Sequence, residues 1–185
     1  MQTPRAIILV EGVSDRLALE VLAERRSRSL TAEGVSIVPM GGAQAIGRFV
    51  DRLGPRGLGV KIAGLYDVAE ERHFQRALER AGLGSNLTRS DLERLGFFAC
   101  VPDLEDELIR ALGPGAMEEV IDAHGELASL RALQLQPAWR GRPASEQLHR
   151  FLTSQSRRRA LVGSLVRALD LDDIPRPLDR VLAAV

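Results

Sequence analysis

The sequence predicts an α/β fold, in which a mainly parallel four-stranded sheet is flanked by helices and followed by a helical carboxyl-terminal extension. Four short apolar runs, the first of them rich in β-branched residues, alternate with helix-forming segments in the first part of the chain. No strand-like run follows Asp103, and the remainder is typical of short helices. Because alternating strands and helices favour parallel pairing through helical crossovers, we expect a doubly wound sheet.

The individual elements follow from apolar runs and from the breaks between them. Strands are predicted at residues 5–10, 35–40, 60–66 and 97–102, and helices between them at residues 15–28, 45–53, 70–81 and 90–95. Ser14 is the predicted N-cap of the first helix, since its hydroxyl can accept a backbone N–H bond. We expect an α/β domain at residues 1–112 and a helical extension at residues 113–185 that packs on it.

The composition is that of an ordinary globular protein. The 185 residues include 25 basic and 25 acidic side chains, and 45% of the residues are hydrophobic, which argues against a disordered chain or a fibre. Cys100 is the only cysteine, so an internal disulfide framework and a cysteine-rich zinc site are excluded. No apolar run approaches the roughly 20 residues of a membrane helix. We therefore expect a cytoplasmic protein without a membrane partner.

Positive charge is concentrated near the carboxyl terminus. Residues 126–185 hold 10 basic and 6 acidic side chains, and the segment from Arg131 to Arg167 has eight arginines against the single acid Glu146. Such a cluster is a candidate surface for nucleic acid phosphates. The alternative is a set of solvated helix faces whose arginine stems cover apolar neighbours. The candidate nucleic-acid-binding residues are Arg131, Arg140, Arg142, Arg150, Arg157, Arg158 and Arg159.

Acidic residues follow three of the four predicted strands. These candidate metal ligands are Glu11 and Asp15, Asp67, and Asp103 and Glu105. The carboxyl ends of parallel strands meet at one edge of a sheet, so the five carboxylates should converge there. Their mutual repulsion favours one or two hard divalent cations, which take oxygen ligands. The alternative for each acid alone is a helix or loop cap, and the three histidines have no metal-like spacing.

The motifs that carry these acids resemble a known family. ILVEGVSD, GLYD and VPDLEDEL, in this order, are similar to the Toprim domain of topoisomerases, primases, recombination proteins and OLD-type nucleases. The resemblance covers about residues 5–112. The first motif is most like that of the OLD-type nucleases, in which a glutamate, a glycine and a later acid are spaced as Glu11, Gly12 and Asp15 are here.

This resemblance implies a Toprim/Rossmann-like fold and a metal-dependent endonuclease that hydrolyses phosphodiesters, DNA more than RNA. It implies that Glu11 and Asp67 hold one ion, and that Asp15, Asp103 and Glu105 hold or bridge to a second. The ions would be Mg²⁺ or Mn²⁺, acting by a two-metal mechanism. Glu11 and the arginine triplet Arg157, Arg158 and Arg159 are the candidate catalytic residues.

Three features depart from the family pattern. Ala69 stands where many Toprim proteins have a second aspartate, which Glu70 or Glu71 could replace. The arginine triplet stands where OLD-type nucleases have a lysine. OLD proteins also carry an ATPase, but GPRGLGVKI is no P-loop, because Ile62 follows Lys61 in place of serine or threonine. We therefore expect any ATP requirement to be met by a separate ATPase partner.

Two other functions stay open. The missing aspartate and lysine favour a catalytically weakened nucleic-acid-binding or regulatory module. A receiver-like signalling domain also clusters acids around magnesium at strand ends. It is disfavoured because receivers need adjacent acids after the first strand, whereas Glu11 and Asp15 are four residues apart.

Overall fold

A four-stranded, all-parallel sheet forms the centre of the molecule. The computed structural model describes residues 4–185, apart from the side chains of residues 155 and 158. The strands are β1 (Ala6–Val10), β2 (Val35–Pro39), β3 (Lys61–Asp67) and β4 (Phe97–Cys100). They lie in the order β2-β1-β3-β4, with every neighbouring pair parallel. This arrangement confirms the predicted fold class.

The helices cover both faces of this sheet. In the described part of the chain they are α1 (Val13–Arg25), α2 (Ile46–Leu53), α3 (Glu71–Arg80), α4 (Arg89–Arg94), α5 (Leu104–Ala123), α6 (Leu127–Leu135), α7 (Ala144–Leu152), α8 (Gln155–Ala168) and α9 (Arg176–Ala183). One 3-10 turn, Ala43–Ala45, precedes α2, and another, Val68–Glu70, precedes α3. None of these helices is long and apolar enough to cross a membrane.

Alternate side chains of each strand enter separate cores. On β1, Ile8 and Val10 pack in the core formed with α1 and the carboxyl-terminal helices, whereas Ile7 and Leu9 face the core formed with α2, α3 and α4. All four side chains are at most 5% exposed. Burial on both faces explains why β1 and β4 are continuously apolar.

The helical extension shares the first core with the sheet. Helix α5 runs across residue 112 and kinks at Gly113, whose φ of +72° is readily adopted only by glycine. Phe151 of α7 and Leu165 of α8 are 1% exposed and belong to the same apolar cluster as β1. The extension is therefore packed against the α/β part through a continuous core.

Helix α1 begins earlier than predicted, and the prediction of Ser14 as its N-cap is wrong. Gly12 is the N-cap, with extended φ and ψ of −140° and −177°. Its N–H donates to Asp15 Oδ2 over 2.7 Å, while Ser14 is buried in the first turn. Asp15, three residues after Gly12, therefore stabilises the start of the helix with its carboxylate, the role predicted for the Ser14 hydroxyl.

Candidate metal centre

The ends of β1, β2 and β3 are joined through Glu11. Its side chain Oε1 accepts a hydrogen bond from the backbone N–H of Asp67 over 2.9 Å. Its carbonyl oxygen accepts bonds from the N–H groups of Gly41 and Gly42, each over 3.1 Å. Glu11 thus connects the loops that follow these three strands at the carboxyl edge of the sheet. This is the edge at which parallel α/β sheets usually bind ligands.

Asp67 lies among the other predicted ligands. The pKa of its carboxyl is raised from 3.8 to about 8, first by burial and then by the negative charges of Glu11, Asp15, Asp103 and Glu105. The repulsion that the sequence predicts at this edge therefore contributes, after burial, to the raised pKa of Asp67.

A cavity of about 380 Å³ lies at this edge. Its acidic lining residues are Glu11, Asp15, Asp67 and Glu105, and Arg159 of α8 lines it from the extension. Glu105 is only 4% exposed. A cavity lined by carboxylate oxygens from three strand ends matches the ligand preference of Mg²⁺ and Mn²⁺. We refer to it below as the acidic cavity.

Asp103 has a different set of neighbours. It is the N-cap of α5, where Oδ1 accepts from the N–H of Asp106 over 3.0 Å. Its Oδ2 lies 2.7 Å from Nε2 of His149, and the same nitrogen lies 3.8 Å from Asp106 Oδ2. One donor atom from each of these three residues falls within 4.8 Å of the others. They form a second group whose atoms can bind a divalent cation.

His149 is the site residue that sequence reasoning missed. Burial lowers the pKa of its imidazole, but the hydrogen bond to Asp103 and the charges of Asp103, Asp106 and Glu105 together raise the pKa above its ordinary value. Asp106 stands in the VPDLEDEL motif and could have been noticed there. His149 is 46 residues from Asp103, and no local pattern signals the contact.

The two acids that could replace the missing aspartate are placed differently. Glu71 forms an ion pair with Arg89, and its Oε2 lies 3.4 Å from the Tyr66 hydroxyl. Its carboxylate is therefore engaged by these two residues, and Glu71 does not line the acidic cavity. Glu70 lines a cavity next to the acidic one, together with Glu11. Its carboxylate is 3.4 Å from His73 Nε2.

Most of the predicted phosphate-binding arginines contact groups of the protein. Ion pairs join Arg131 to Glu118, Arg142 to Glu146 and Arg157 to Glu126. The Arg142 guanidinium also lies over the Trp139 ring, and that of Arg157 over Phe151. Arg140 donates to the Leu135 carbonyl and Arg150 to the Thr153 hydroxyl. The side chain of Arg158 is outside the described residues, so of the triplet only Arg159 is seen at the acidic cavity.

Comparison with known proteins agrees with the motifs. Residues 4–68 match the model of the overcoming lysogenization defect protein-like TOPRIM domain. The carboxyl-terminal region of the Burkholderia pseudomallei OLD protein superposes with a TM-score of 0.76 at 20% identity, covering 99% of this chain and 97% of that chain. The corresponding region of the Xanthomonas campestris pv. campestris OLD protein gives 0.77 at 24% identity, over 98% and 92% of the two chains.

No curated protein matches the chain at a significant level. The family match nevertheless includes the first and third predicted strands with their motifs, and the structural matches extend through the helical extension. The Toprim resemblance inferred from the motifs is confirmed: residues 4–68 match an OLD-like TOPRIM domain, and the whole chain has the fold of the carboxyl-terminal region of OLD proteins.

Proposed function

We propose that this chain is a divalent-metal-dependent endonuclease that hydrolyses nucleic acid phosphodiesters, DNA in preference to RNA. The observation that carries the proposal is the acidic cavity, in which carboxylates from three strand ends face an arginine of the extension. Such carboxylates can bind divalent cations, which assist phosphodiester cleavage, and an arginine can contact the phosphate group. A cytoplasmic location and a separate ATPase partner remain part of the proposal.

The residues of the cavity divide into two ligand sets. Glu11 and Asp67, joined by the hydrogen bond between them, would hold one ion, and Asp15 and Glu105 would hold the other. Bound Mg²⁺ or Mn²⁺ supplies a Lewis acid and a more acidic water molecule. Asp67 is the last residue of β3, and Glu105 is only 4% exposed, so bulk water has little access to the Glu105 carboxylate.

Asp103 contributes through the network at the start of α5. Because its two oxygens already accept from Asp106 N–H and contact His149, its ligand role requires His149 to share or release Oδ2. We propose that Asp103 would be a further ligand of the second ion, with His149 orienting its carboxylate.

Arg159 is the candidate for stabilising charge on the phosphate. Its guanidinium is a permanent cation, so it can offset the negative charge that develops in phosphodiester cleavage but cannot readily donate a proton. We further propose that the exposed Arg140 and Arg150 contact the nucleic acid backbone, together with the other arginines between Arg131 and Arg158.

A cleavage assay tests the proposal. Supercoiled plasmid and single-stranded RNA are incubated with the protein and Mg²⁺, Mn²⁺ or EDTA. We expect metal-dependent nicking that is lost in a Glu11→Ala, Asp67→Ala double variant. The matched control is an Asp51→Ala, Glu119→Ala double variant, which removes two exposed acids away from the cavity lining. Equal cleavage by the two double variants would contradict the proposed site.

A binding module without turnover is the second candidate. Ala69 in place of an aspartate and arginines in place of a lysine are the observations that favour it. Wild-type protein that binds nucleic acid and Mn²⁺ but cuts neither substrate would support this function over the nuclease.

A further inference from the structure

A track of cavities leads from the acidic cavity onto the α2–α3 face of the molecule. The acidic cavity shares Glu11, Gly41 and Gly42 with a neighbouring cavity, which Gln44 and Arg48 also line. Gln44 in turn lines a third cavity, between α2 and α3. We define the α2–α3 track by six of its lining residues, Gly41, Gly42, Gln44, Arg48, Arg76 and Arg80; Glu70, His73 and Glu79 also line these two cavities.

Two glycines without side chains, Gly41 and Gly42, lie where the α2–α3 track meets the acidic cavity. Gly41 and Gly42 have φ values of +77° and +118°, which L side chains rarely adopt, and a Cβ at either position would meet nothing within 4 Å. The two N–H groups are held by the Glu11 carbonyl. The loop after β2 therefore has open space beside its backbone, next to the acids.

The arginines of the track differ from those of the extension. Arg48, Arg76 and Arg80 are exposed, and none of them forms an ion pair among the described residues. Arg48 lies over the Phe49 ring, and the Arg80 guanidinium lies close to Gly47. The nearby acid Glu79 accepts from the backbone of Leu87. These three cations are therefore available to an anionic ligand.

Their spacing suits a polyanion. Arg76 and Arg80 lie one turn apart on α3, about 6 Å along the helix axis. Successive phosphates of one DNA strand rise by about 3.4 Å along the duplex axis and are farther apart in space, because the backbone winds around that axis. Their separation is therefore similar to that of the two arginines. Arg76 and Arg80 can therefore each contact a phosphate of the same strand. Arg48 lies closer to the acidic cavity, because it lines the cavity that adjoins it.

We propose that nucleic acid leaving the acidic cavity passes over Gly41 and Gly42 and is held through its phosphates by Arg48, Arg76 and Arg80. The inference rests on the proposed function, since it takes the acidic cavity as the cleavage site. It assigns a backbone-binding surface to the α/β part of the chain, distinct from the arginine segment of the extension. Recognition by phosphate contacts alone carries no sequence preference.

The test measures binding without cleavage. Affinities for a labelled DNA duplex and for an RNA duplex of the same sequence are measured by fluorescence anisotropy in EDTA at several salt concentrations. The variants are an Arg48→Gln, Arg76→Gln, Arg80→Gln triple, the same triple to lysine, and a control triple of Arg5, Arg94 and Arg180 to glutamine. The control removes equal charge from exposed positions outside the three cavities.

We expect the glutamine triple to bind about tenfold or more weakly at low salt, with a log-log salt slope reduced by about 0.9 for each duplex phosphate that is no longer neutralised. The lysine triple should recover most of the affinity, and the control triple should bind as wild type does. DNA and RNA are distinguished by their loss of affinity in the glutamine triple. The nucleic acid whose affinity falls further is the one that binds the α2–α3 track. Circular dichroism of each variant checks that the fold is kept.

The inference and the proposed function fail in different ways. If the folded glutamine triple keeps the wild-type affinity and the wild-type salt slope, the proposed role of the α2–α3 track is wrong. This holds even if the wild-type protein cleaves nucleic acid. Equal reductions of affinity in the glutamine and control triples would also overturn it, because a general charge effect would then suffice. Reduced binding specific to the track triple, in a protein that cleaves nothing, would support the track and contradict the nuclease.

Discussion

The Nε2 atom of His149 lies 2.7 Å from Oδ2 of Asp103, and this contact links the helical extension to the start of α5 beside the acidic cavity. His149 belongs to α7 and Asp103 to the loop after β4. The carboxylate at one strand end therefore takes its orientation from a residue of the extension. The extension is part of the candidate site as well as of the core.

Replacing His149 should loosen the start of α5. His149→Leu should lower the free energy of unfolding by about 1–2 kcal/mol, because Oδ2 of Asp103 then loses its partly buried hydrogen-bond partner. His149→Gln should be less destabilised, since its amide can still donate. Urea unfolding measures both. His124→Leu, which removes an exposed contact with Ser164, is the control, and destabilisation as large as that of His149→Leu would contradict the special role of Asp103.

Replacing Asp67 should stabilise the metal-free protein at alkaline pH. The pKa of Asp67 is raised from 3.8 to about 8, so its contribution to stability is fully present below pH 3.8 and is lost as the pH rises through 8. Asp67→Asn cannot ionise and should avoid that loss. We expect its Tm to exceed the wild-type Tm at pH 9, by about 2–4 °C for each kcal/mol relieved.

Two conditions make that measurement decisive. The difference between Asp67→Asn and wild type should shrink towards pH 5, where wild-type Asp67 is already protonated in the folded state. Adding Mn²⁺ at pH 7.5 should raise the Tm of wild type more than that of the variant, because ligand binding stabilises the folded state. A Tm difference that stays constant across this pH range would contradict the raised pKa.

Replacing Glu105 should remove metal binding without unfolding the protein. Glu105→Gln has nearly the same shape and removes one negative charge from a buried position of the acidic cavity. We expect at least about tenfold weaker Mn²⁺ binding in calorimetry, as for other changes around metal ligands. Glu107→Gln is the matched control, since Glu107 is also buried but bonds Val101 N–H and Arg110. Unchanged Mn²⁺ affinity in Glu105→Gln would remove Glu105 from the ligand set.

Two arginines of the triplet should behave differently. Arg159 lines the acidic cavity, so Arg159→Gln should reduce cleavage by about a hundredfold or more while the Tm stays near wild type. Arg157 pairs with Glu126 and covers the Phe151 ring, so Arg157→Gln should mainly lower the Tm. Cleavage rates and unfolding of both variants are measured together. The assignment fails if Arg157→Gln alone abolishes cleavage in a folded protein.

Local pattern was sufficient to predict the sheet and its acidic edge. β1 and β4 are continuous apolar runs because every one of their residues is buried, and such runs are visible in the sequence. The order of the motifs then places Glu11, Asp67 and Asp103 at the ends of the first, third and fourth strands of a parallel sheet. Boundaries were less predictable: β4 ends at Cys100 because the Val101 N–H leaves the sheet for Glu107.

The sequence by itself determined the α/β class, the strand-end acids and their Toprim resemblance, because these depend on side-chain periodicity and short spacings. Only the tertiary structure decided which distant residues meet. Helix packing brings His149 to Asp103 and Arg159 to the acidic cavity, whereas Arg131, Arg142 and Arg157 form ion pairs within the protein. Such contacts arise from the packing of whole elements around a common core, and residue spacing along the chain carries no record of them.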